Sequence, residues 1–236
     1  MPGEWLARIR YTSSVILFLV RHALTPVTGQ KLIGRLPGFA LSEKGRQQAE
    51  ATGGRLAGLP LKAIYSSPME RCAETAEAIA VHHKLKVSTL EDLAEIDYGA
   101  WQGRTLKSLY GTKGWKLLRA RPADFRFPEG ETIREAQSRG MRAVEFLRLK
   151  HRDKAVVACS HCDMIKLIVA GCLGLGIDLY DRINIAPASI TTLQLSEGAP
   201  RLINTSDTGG YAELFESLKK ASEPAKQPAP GREKAK

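Results

Sequence analysis

The strongest constraint on the fold is the stretch from Val15 to Thr25, VILFLVRHALT, where six apolar residues are followed directly by an arginine and a histidine. An unbroken apolar run without polar alternation is typical of a strand buried on both faces of a parallel sheet. Arg21 and His22 then lie at the carboxyl end of that strand, which is where open α/β sheets bind ligands. A cation beside an imidazole indicates a site for an anion, although the pair alone could simply mark where the strand meets solvent.

A second apolar run also leads to a histidine. The sequence AVVAC from Ala155 to Cys159 predicts a buried strand, and His161 follows it almost at once. Ser160 and Asp163 have the spacing of a capping box, which predicts that a helix starts here with His161 among its first N–H groups. Because the carboxyl ends of parallel strands meet at one edge of a sheet, we expect His22 and His161 to lie at the same edge.

A third strand is followed by an arginine in an unexpected place. Leu61 to Tyr65 predicts the strand. The spacing of Ser67 and Glu70, with a proline between them, predicts a capping box and a helix that starts directly after the strand. Arg71 would then lie in the first helical turn, where the helix dipole disfavours a positive charge. A bound anion explains this placement better than helix stability does, and a salt bridge to a nearby carboxylate is the alternative.

The segments between these motifs predict further helices, strands and loops. Ser42 predicts the N-cap of a helix over 42–58, and the spacing of Thr132 and Glu135 predicts a capping box for a helix over 132–150. The other predicted segments are strands over 86–88, 190–195 and 201–204, a long binding loop over 23–41, an irregular loop over 93–105 and a small helical cap over 106–127. The irregular loop contains Glu95, a carboxylate that could serve the site.

Length, composition and charge set the expected domain limits. With 236 residues, 43% of them hydrophobic, the chain can form one large α/β domain. We expect an N-terminal extension over 1–14, a folded domain over 15–218 and a disordered tail rich in Ala, Pro and Lys over 219–236. The tail holds six Lys or Arg against two Asp or Glu, so the rest of the chain carries +6 of the net charge of +10. That excess suits an anionic ligand, whereas no stretch interleaves basic and aromatic residues as a nucleic-acid groove would.

Cysteine usage and hydropathy bear on cellular location. The four cysteines are Cys72, Cys159, Cys162 and Cys172. Their spacing is not that of a disulfide framework, which fits a reducing cytoplasm, and no apolar run is long enough to span a membrane. The CSHC sequence over 159–162 admits zinc binding as an alternative, but a structural zinc site normally needs a fourth ligand. We therefore expect a cytoplasmic protein without a metal and without nucleic-acid or membrane partners.

The candidate site combines four basic side chains with one acid. They are Arg21, His22, Arg71 and His161, with Glu95 or Asp163 as the acid. Two guanidinium groups can bind phosphate oxygens bidentately, and cations beside a histidine lower its pKa so that it stays neutral and nucleophilic. Such a histidine can attack phosphorus, a carboxylic acid can protonate the leaving alcohol, and water can cleave the phosphohistidine. None of these steps requires a cofactor or a metal.

Five segments of the chain form an ordered series of motifs. They are VRHALT, SSPMERCAETA, LAEIDYGAWQGRT, PEGET and CSHCDMI, between about Ile16 and Leu195. This series resembles the histidine phosphatase superfamily, in the branch similar to cofactor-dependent phosphoglycerate mutase. The resemblance implies a three-layer αβα sandwich with one mostly parallel sheet. The roles that it implies are the phosphorylated nucleophile for His22, the proton donor for Glu95, and the phosphate pocket for Arg21, Thr28, Arg71 and His161.

Three residues depart from the pattern of that family. Ala23 and Cys162 stand where a glycine usually follows each histidine, and Leu24 stands where an acid is frequent. A cysteine beside the phosphate pocket raises the hypothesis that activity is sensitive to oxidation. Asp163 is displaced by one position from the acid used by a different branch of the superfamily, so Glu95 is the favoured proton donor.

The expected protein is a histidine acid phosphatase-type phosphomonoesterase that acts on a small phosphorylated metabolite through a phosphohistidine. The segment from Gly103 to Glu131 is much shorter than the insertion with which similar mutases hold a bisphosphate, and this favours hydrolysis. Five basic residues in this segment keep a phosphoglycerate mutase-like phosphomutase as an alternative. They are Lys107, Lys113, Lys116, Arg119 and Arg121. The three departures leave a second alternative, a non-catalytic member that binds phosphate esters or a protein.

Overall fold

The apolar runs of the sequence form the strands of one central sheet. The structure is a computed structural model and describes residues 14–209. The strands are β1 Val15–Arg21, β2 Leu61–Ser66, β3 Val87–Thr89, β4 Ala155–Ser160, β5 Ile190–Leu195 and β6 Arg201–Asp207. The helices are α1 Glu43–Leu56, α2 Glu70–Ala80, α3 Leu106–Tyr110, α4 Lys113–Ala120, α5 Ile133–Lys150 and α6 Cys162–Leu173. The predicted tail over 219–236, and the predicted extension over 1–14 apart from Ser14, lie outside the described residues.

The sheet is mostly parallel, as the sequence predicts. Its strand order is β3-β2-β4-β1-β5-β6. Strands β1 and β2 both run parallel to β4, and β3 runs parallel to β2, whereas β5 and β6 pair in antiparallel fashion. The register sets Arg21 opposite Ser160 and Ser66 opposite Cys159, so the carboxyl ends of β1, β2 and β4 lie at the same level.

Helices cover both faces of the sheet and produce three layers. Alternate residues of β1 point to opposite faces, as in any strand. Leu17 and Leu19 pack in a buried cluster with apolar residues of α5 and α6. Phe18 and Val20 pack on the other face with residues of α2 and with Leu56 at the end of α1. The predicted αβα sandwich is therefore confirmed.

Two predicted helix starts are confirmed together with their capping bonds. The Ser42 hydroxyl accepts from the N–H of Gly45 at 3.1 Å at the start of α1. At the start of α5, Thr132 Oγ1 accepts from the N–H of Glu135 at 3.1 Å, and the Glu135 carboxylate accepts from the N–H of Thr132 at 2.7 Å. The Ser42 hydroxyl also donates to the carbonyl of Leu24 at 3.1 Å, so this cap coexists with a tertiary hydrogen bond.

Two other predicted capping boxes are wrong. Helix α2 starts at Glu70 after an uncapped Met69, and α6 starts after His161, which is itself the N-cap residue. The Ser67 hydroxyl lies 2.7 Å from Nε2 of His161, and the Ser160 hydroxyl donates to a backbone carbonyl at 2.7 Å. At this edge of the sheet the hydroxyl groups of Ser67 and Ser160 bind residues distant in sequence, so they do not cap the helices that their local spacing predicts.

The predicted cap over 106–127 is helical and is joined to the core by aromatic side chains. It consists of α3, α4 and a 3-10 turn over Pro122–Asp124. The Trp101 ring lies 5.4 Å from both Phe125 and Phe127, measured between centroids, and stacks on Trp115 at 6.2 Å. These contacts fix the cap over one side of the sheet.

Two features bear on the expected location. None of the helices formed by residues 14–209 has the length and apolarity needed to span a bilayer. All four cysteines lie in the described part of the chain and are free thiols. The cytoplasmic location stays a prediction.

Candidate active site

Neighbouring strand ends deliver the predicted site residues to one edge of the sheet. β1 continues into His22, β2 into Ser67 and β4 into His161. The backbone N–H of His22 donates to the carbonyl of Ser160, and that of Ser67 donates to the carbonyl of Cys159, both at 2.9 Å. The two histidine rings lie 5.3 Å apart between centroids. The predicted convergence of the two histidines is therefore found in the structure.

His22 is a buried, neutral imidazole with a fixed ring. It is 6% exposed, and its Nδ1 lies 2.8 Å from the carbonyl oxygen of Ala23. Because a carbonyl can only accept, Nδ1 carries the proton and Nε2 keeps its lone pair. Burial lowers the pKa of His22 well below its usual value, and the charges of Arg21 and Arg71 lower it further. The sequence predicts this direction but attributes it to the arginines, which are the smaller cause.

Arg21 places an unpaired donor beside His22. Its Nη1 donates to the carbonyl of Ile185 at 2.6 Å. Its Nε is buried and has no hydrogen-bond partner within residues 14–209. Since a buried donor without a partner costs roughly 1–3 kcal/mol, such an N–H group is better explained by a ligand that accepts from it.

Arg71 and His161 form a buried pair that Ser67 orients. Nη2 of Arg71 donates to Nδ1 of His161 at 3.0 Å and to the carbonyl of Gly34 at 2.7 Å. A guanidinium has no acceptor, so Nδ1 of His161 is unprotonated and its Nε2–H donates to the Ser67 hydroxyl at 2.7 Å. Burial lowers the pKa of His161 well below its usual value, and the charge of Arg71 lowers it further.

Glu95 is a buried carboxyl group with a raised pKa. It is 6% exposed, and its Oε1 accepts from the N–H of Ile96 at 3.0 Å. Burial raises the pKa of Glu95 to about 7, and the negative charge of Asp163 contributes to the rise. A carboxyl group of this kind holds its proton in a large fraction of molecules at neutral pH, as a proton donor must.

Asp163, the competing acid, is bonded to neighbouring side chains. Its Oδ2 accepts from the Tyr98 hydroxyl at 2.8 Å, and its Oδ1 lies 3.3 Å from Nζ of Lys166. Lys166 also binds Asp181 at 2.6 Å. Asp163 therefore does not cap α6, and its charge acts on Glu95 instead.

Thr28, the remaining predicted phosphate contact, is bonded within its own loop. Its Oγ1 accepts from the N–H of Thr25 at 2.9 Å, and the hydroxyl groups of the two threonines lie 2.9 Å apart. No hydrogen bond among residues 14–209 joins Thr28 to the arginines or histidines of the site. Contacts join His22, His161 and Arg71, and the charges of Arg21 and Arg71 act on both His22 and Glu95. The structure thus brings together five of the six predicted site residues, whereas Thr28 lies in the adjoining loop.

The departures at Ala23 and Cys162 fit the surrounding backbone. Ala23 is fully buried, and its N–H donates to Thr75 Oγ1 at 3.1 Å. The Cys162 thiol lies 3.7 Å from the carbonyl oxygen of Ile185, and burial raises its pKa. Neither residue removes a hydrogen bond from His22 or His161.

Four supporting residues lie outside the site that the sequence predicts. They are Ser67, Arg35, Glu131 and Arg139. A signal existed for three of them: Ser67 follows a strand end, Glu131 lies in the PEGET motif, and Arg139 interrupts the apolar stripe of α5. A charged residue on a buried helix face needs a partner, which marks such a position as a candidate. Arg35 lies in the long loop and carries no such signal.

A cavity of about 440 Å³ lies between the helical cap and the 3-10 turn Ile177–Arg182. Tyr98 and Asp163 form part of its wall. The other lining residues are Leu32, Trp115, Leu118, Arg119, Ala120, Pro122, Phe127, Asp178, Leu179, Tyr180, Asp181 and Arg182. In the described part of the chain, no group of three or more His, Cys, Asp or Glu side chains, those of the CSHC sequence included, is arranged to hold a metal ion.

The fold and the side chains at its edge define the class of protein. A mostly parallel α/β sheet carries two neutral histidines, two arginines and a buried carboxyl group at one edge, which together suit a phosphate anion. The sequence model of the histidine phosphatase superfamily (branch 1) matches residues 17–208. The chain belongs to this superfamily, as its motifs indicate.

Relatives of known structure or name include several phosphatases. The chain is 27% identical over 220 residues to phosphoserine phosphatase 1 of Hydrogenobacter thermophilus, which covers 88% of this chain and 99% of the relative. A mycobacterial glucosyl-3-phosphoglycerate phosphatase aligns with a TM-score of 0.73 and 25% identity over 82% of this chain and 99% of its own. A phosphoserine phosphatase of Entamoeba histolytica, solved with 3-phosphoglyceric acid, aligns with a TM-score of 0.75 and 27% identity over 83% and 98%. The family and these relatives support phosphatase activity and confirm the predicted fold class.

Proposed function

We propose that this protein hydrolyses phosphate monoesters of small metabolites through a phosphohistidine formed on His22. The observation that carries the proposal is the state of the His22 ring. It is neutral, its Nδ1–H is bonded to the backbone, no hydrogen bond within residues 14–209 engages its Nε2, and the charges of Arg21 and Arg71 act on the ring. This combination suits a nucleophile aimed at an anionic phosphoryl group.

Arg21 and Arg71 are the proposed binding groups for the phosphoryl oxygens. The unpaired Nε–H of Arg21 gains an acceptor when the ester binds. His161 holds Arg71 in place through the bond at 3.0 Å. A bound dianion also opposes the effects that lower the pKa of His161. A proton taken up at Nδ1 then ends the bond from Arg71, and both groups donate to the phosphate instead. Thr28 is proposed as a further phosphate contact.

In the first chemical step, Nε2 of His22 forms a bond to phosphorus while the ester P–O bond breaks. Glu95 gives its proton to the leaving oxygen, so the alcohol departs neutral. In the second step, the Glu95 carboxylate takes a proton from water as the water oxygen attacks phosphorus and the P–N bond breaks. Inorganic phosphate leaves, and both residues return to their starting states. We propose no metal, because side chains of this chain and water supply every step.

The substrate is proposed to be a small phosphorylated metabolite, as in the named relatives. Those relatives are phosphatases for phosphoserine and for glucosyl-3-phosphoglycerate. We propose the cavity of about 440 Å³ as the place of the alcohol part of such an ester. Its lining includes Asp163, whose charge acts on Glu95, but not the arginines and histidines proposed to bind phosphate.

The proposal is tested by phosphate release from a panel of monoesters, with and without a chelator. We expect the wild type to release phosphate in both conditions and His22→Ala to lose the activity by several orders of magnitude. His82→Ala, which removes an exposed histidine, is the matched control and should keep the activity. Labelled ester should leave an acid-labile phosphate on His22 after rapid quenching.

The other outcomes separate the alternatives. Activity that survives His22→Ala would contradict the mechanism. Transfer of the phosphoryl group to a second hydroxyl, without release of phosphate, would identify a phosphomutase. Binding of esters without labelling of His22 would identify a non-catalytic member.

A further inference from the structure

A partly buried ion cluster that the mechanism does not use contacts the backbone of Glu95. One oxygen of Glu131, Oε1, accepts three hydrogen bonds: from Arg35 Nη2 at 2.9 Å, from Arg139 Nη2 at 2.7 Å and from the N–H of Asp97 at 2.8 Å. The side chains of Glu131 and Arg139 are only 15% and 11% exposed. A largely covered carboxylate with this many donors holds them in one arrangement, because donors without it would lose their shared acceptor.

Both arginines of the cluster reach the same backbone oxygen. Arg35 Nε donates to the carbonyl of Glu95 at 2.9 Å, and Arg139 Nη2 donates to it at 3.2 Å. Nη1 of Arg139 donates to the carbonyls of Ala94 and Asp92 at 2.7 and 2.9 Å. The loop that carries Glu95 belongs to no long helix or strand, so these side-chain bonds set its path.

A single peptide group connects that backbone oxygen to the Glu95 carboxyl group. The carbonyl of Glu95 and the N–H of Ile96 belong to the same planar unit. That N–H donates to Oε1 of Glu95 at 3.0 Å. Hydrogen bonds to the oxygen of a peptide polarise it and strengthen its N–H as a donor. Whatever holds the oxygen therefore also holds Oε1 and leaves Oε2 available for proton transfer.

On the basis of the proposed role of Glu95 as proton donor, we infer that Glu131 is a positioning residue for that proton transfer. Its carboxylate aligns Arg35 and Arg139, and the two guanidinium groups lock the peptide that orients the Glu95 carboxyl group. Arg35 belongs to the long loop that follows His22, and its own N–H donates to the Gln102 side chain at 2.6 Å. Glu131 thus ties the loop of the nucleophile to the loop of the acid.

The test compares kcat/KM for two esters that differ in their need for an acid. An alkyl phosphate releases a strongly basic alkoxide that must be protonated, whereas p-nitrophenyl phosphate releases a weakly basic phenolate that leaves unaided. For the alkyl ester, Glu95→Gln should lower kcat/KM by about 10²- to 10⁴-fold, the usual contribution of general acid catalysis. Glu131→Gln should lower it by up to about 10²-fold, the usual effect of a displaced catalytic group. Both variants should retain most of kcat/KM with p-nitrophenyl phosphate, because this parameter covers the steps up to the phosphohistidine and not the later step in which Glu95 acts as a base.

Two further variants and one control complete the experiment. Arg35→Lys removes the guanidinium that bridges Glu131 and the Glu95 carbonyl. Because this side chain is 34% exposed, its replacement should be tolerated by the fold, and the variant tests the inference even if Glu131→Gln does not fold. It should show the same selective loss. Arg142→Met, one turn along α5, removes an exposed guanidinium that pairs with the Asp92 carboxylate and should leave both esters unaffected. The double variant Glu95→Gln/Glu131→Gln should be no slower on the alkyl ester than Glu95→Gln, since the two residues act as a unit.

Each result bears on one statement. Equal losses on both esters in Glu131→Gln or Arg35→Lys would assign the cluster a structural role only and overturn the inference. Equal losses in Glu95→Gln would instead remove Glu95 as the proton donor, and the proposed function would fail at that step whatever Glu131 does. A selective loss in Glu95→Gln without one in Glu131→Gln would overturn the inference alone.

Discussion

His22 and Glu95 acquire opposite chemical roles from the same physical cause. Burial disfavours the charged form of both groups, so it lowers the pKa of His22 and raises that of Glu95. The imidazole is left as a neutral base, and the carboxyl group is left as a neutral acid. A pair of titratable groups held in complementary states is the pattern expected of an acid–base site.

The pH dependence of the reaction follows from the state of Glu95. Because the acid must be protonated, kcat/KM for an alkyl phosphate should fall as the pH rises through about 7. The charge of Asp163 raises the pKa of Glu95, so Asp163→Asn should move this fall to lower pH. The measurement is the pH profile of kcat/KM for the wild type and for Asp163→Asn. Ionisation of the ester itself affects both profiles equally and does not contribute to the difference between them. Coincident profiles would contradict the assignment.

Cys162 is expected to resist oxidation, in contrast to the hypothesis that the sequence raises. The thiolate is the reactive form of cysteine, and burial raises the pKa of the Cys162 thiol. We expect hydrogen peroxide to leave the phosphatase activity of the wild type and of Cys162→Ala equally unchanged. Inactivation of the wild type alone would restore the hypothesis of a redox-sensitive site.

At the scale of single elements, sequence predicts strands and helices well and their exact starts less well. The apolar run before Arg21 predicts β1 because few other structures bury both faces of so short a segment. Capping signals at Ser42 and Thr132 are confirmed. Those at Ser67 and Ser160 fail because their hydroxyl groups bind partners distant in sequence. The failures lie at the site, where tertiary contacts override local preference.

Helix α1 contains two adjacent glycines whose surroundings are opposite. A Cβ on Gly53 would lie 2.4 Å from the carbonyl oxygen of Ala78 in α2, whereas a Cβ on Gly54 would meet nothing within 4 Å. Gly53→Ala should therefore destabilise the protein by about 1–3 kcal/mol. Gly54→Ala should stabilise it by about 0.5–1 kcal/mol, since alanine loses less backbone entropy in a helix.

Urea denaturation measures both glycine variants. The midpoint should fall for Gly53→Ala and rise for Gly54→Ala, with the same dependence on urea concentration. If both midpoints moved in the same direction, the close approach of α1 to α2 would not be the cause.

At the scale of the whole molecule, the site exists because distant segments meet at one edge of the sheet. Parallel pairing through β4 sets Arg21 level with Ser160, which the sequence predicts from two apolar runs that each lead to a histidine. The cluster of Arg35, Glu131 and Arg139 could not be predicted in the same way. Its members come from a loop, a turn and a helix. The sequence around each of the three residues does not indicate which distant residues it will contact.

The buried acid that serves catalysis should also weaken the fold above neutral pH. The pKa of Glu95 rises from 4.5 to about 7 on folding, so its effect on stability is absent below the lower value and grows as the pH rises toward the upper one. At higher pH the folded protein must hold a buried charge that the unfolded chain exposes to water. The pKa values of His22 and His161 are lowered, so they act in the opposite direction and reduce stability as the pH falls below their usual value.

A comparison of Glu95→Gln with the wild type isolates the contribution of Glu95 to the pH dependence of stability, because His22 and His161 are present in both proteins. The free energy of unfolding of Glu95→Gln, relative to that of the wild type, should increase by about 3 kcal/mol between about pH 4 and about pH 8, the equivalent of the pKa shift. Glu50→Gln, at an exposed position of α1, is the matched control and should show no such increase. Urea unfolding at several pH values provides the measurement. A difference that stays constant with pH would mean that Glu95 is ionised at no cost in the folded protein, and the acid would then have to be sought at Asp163.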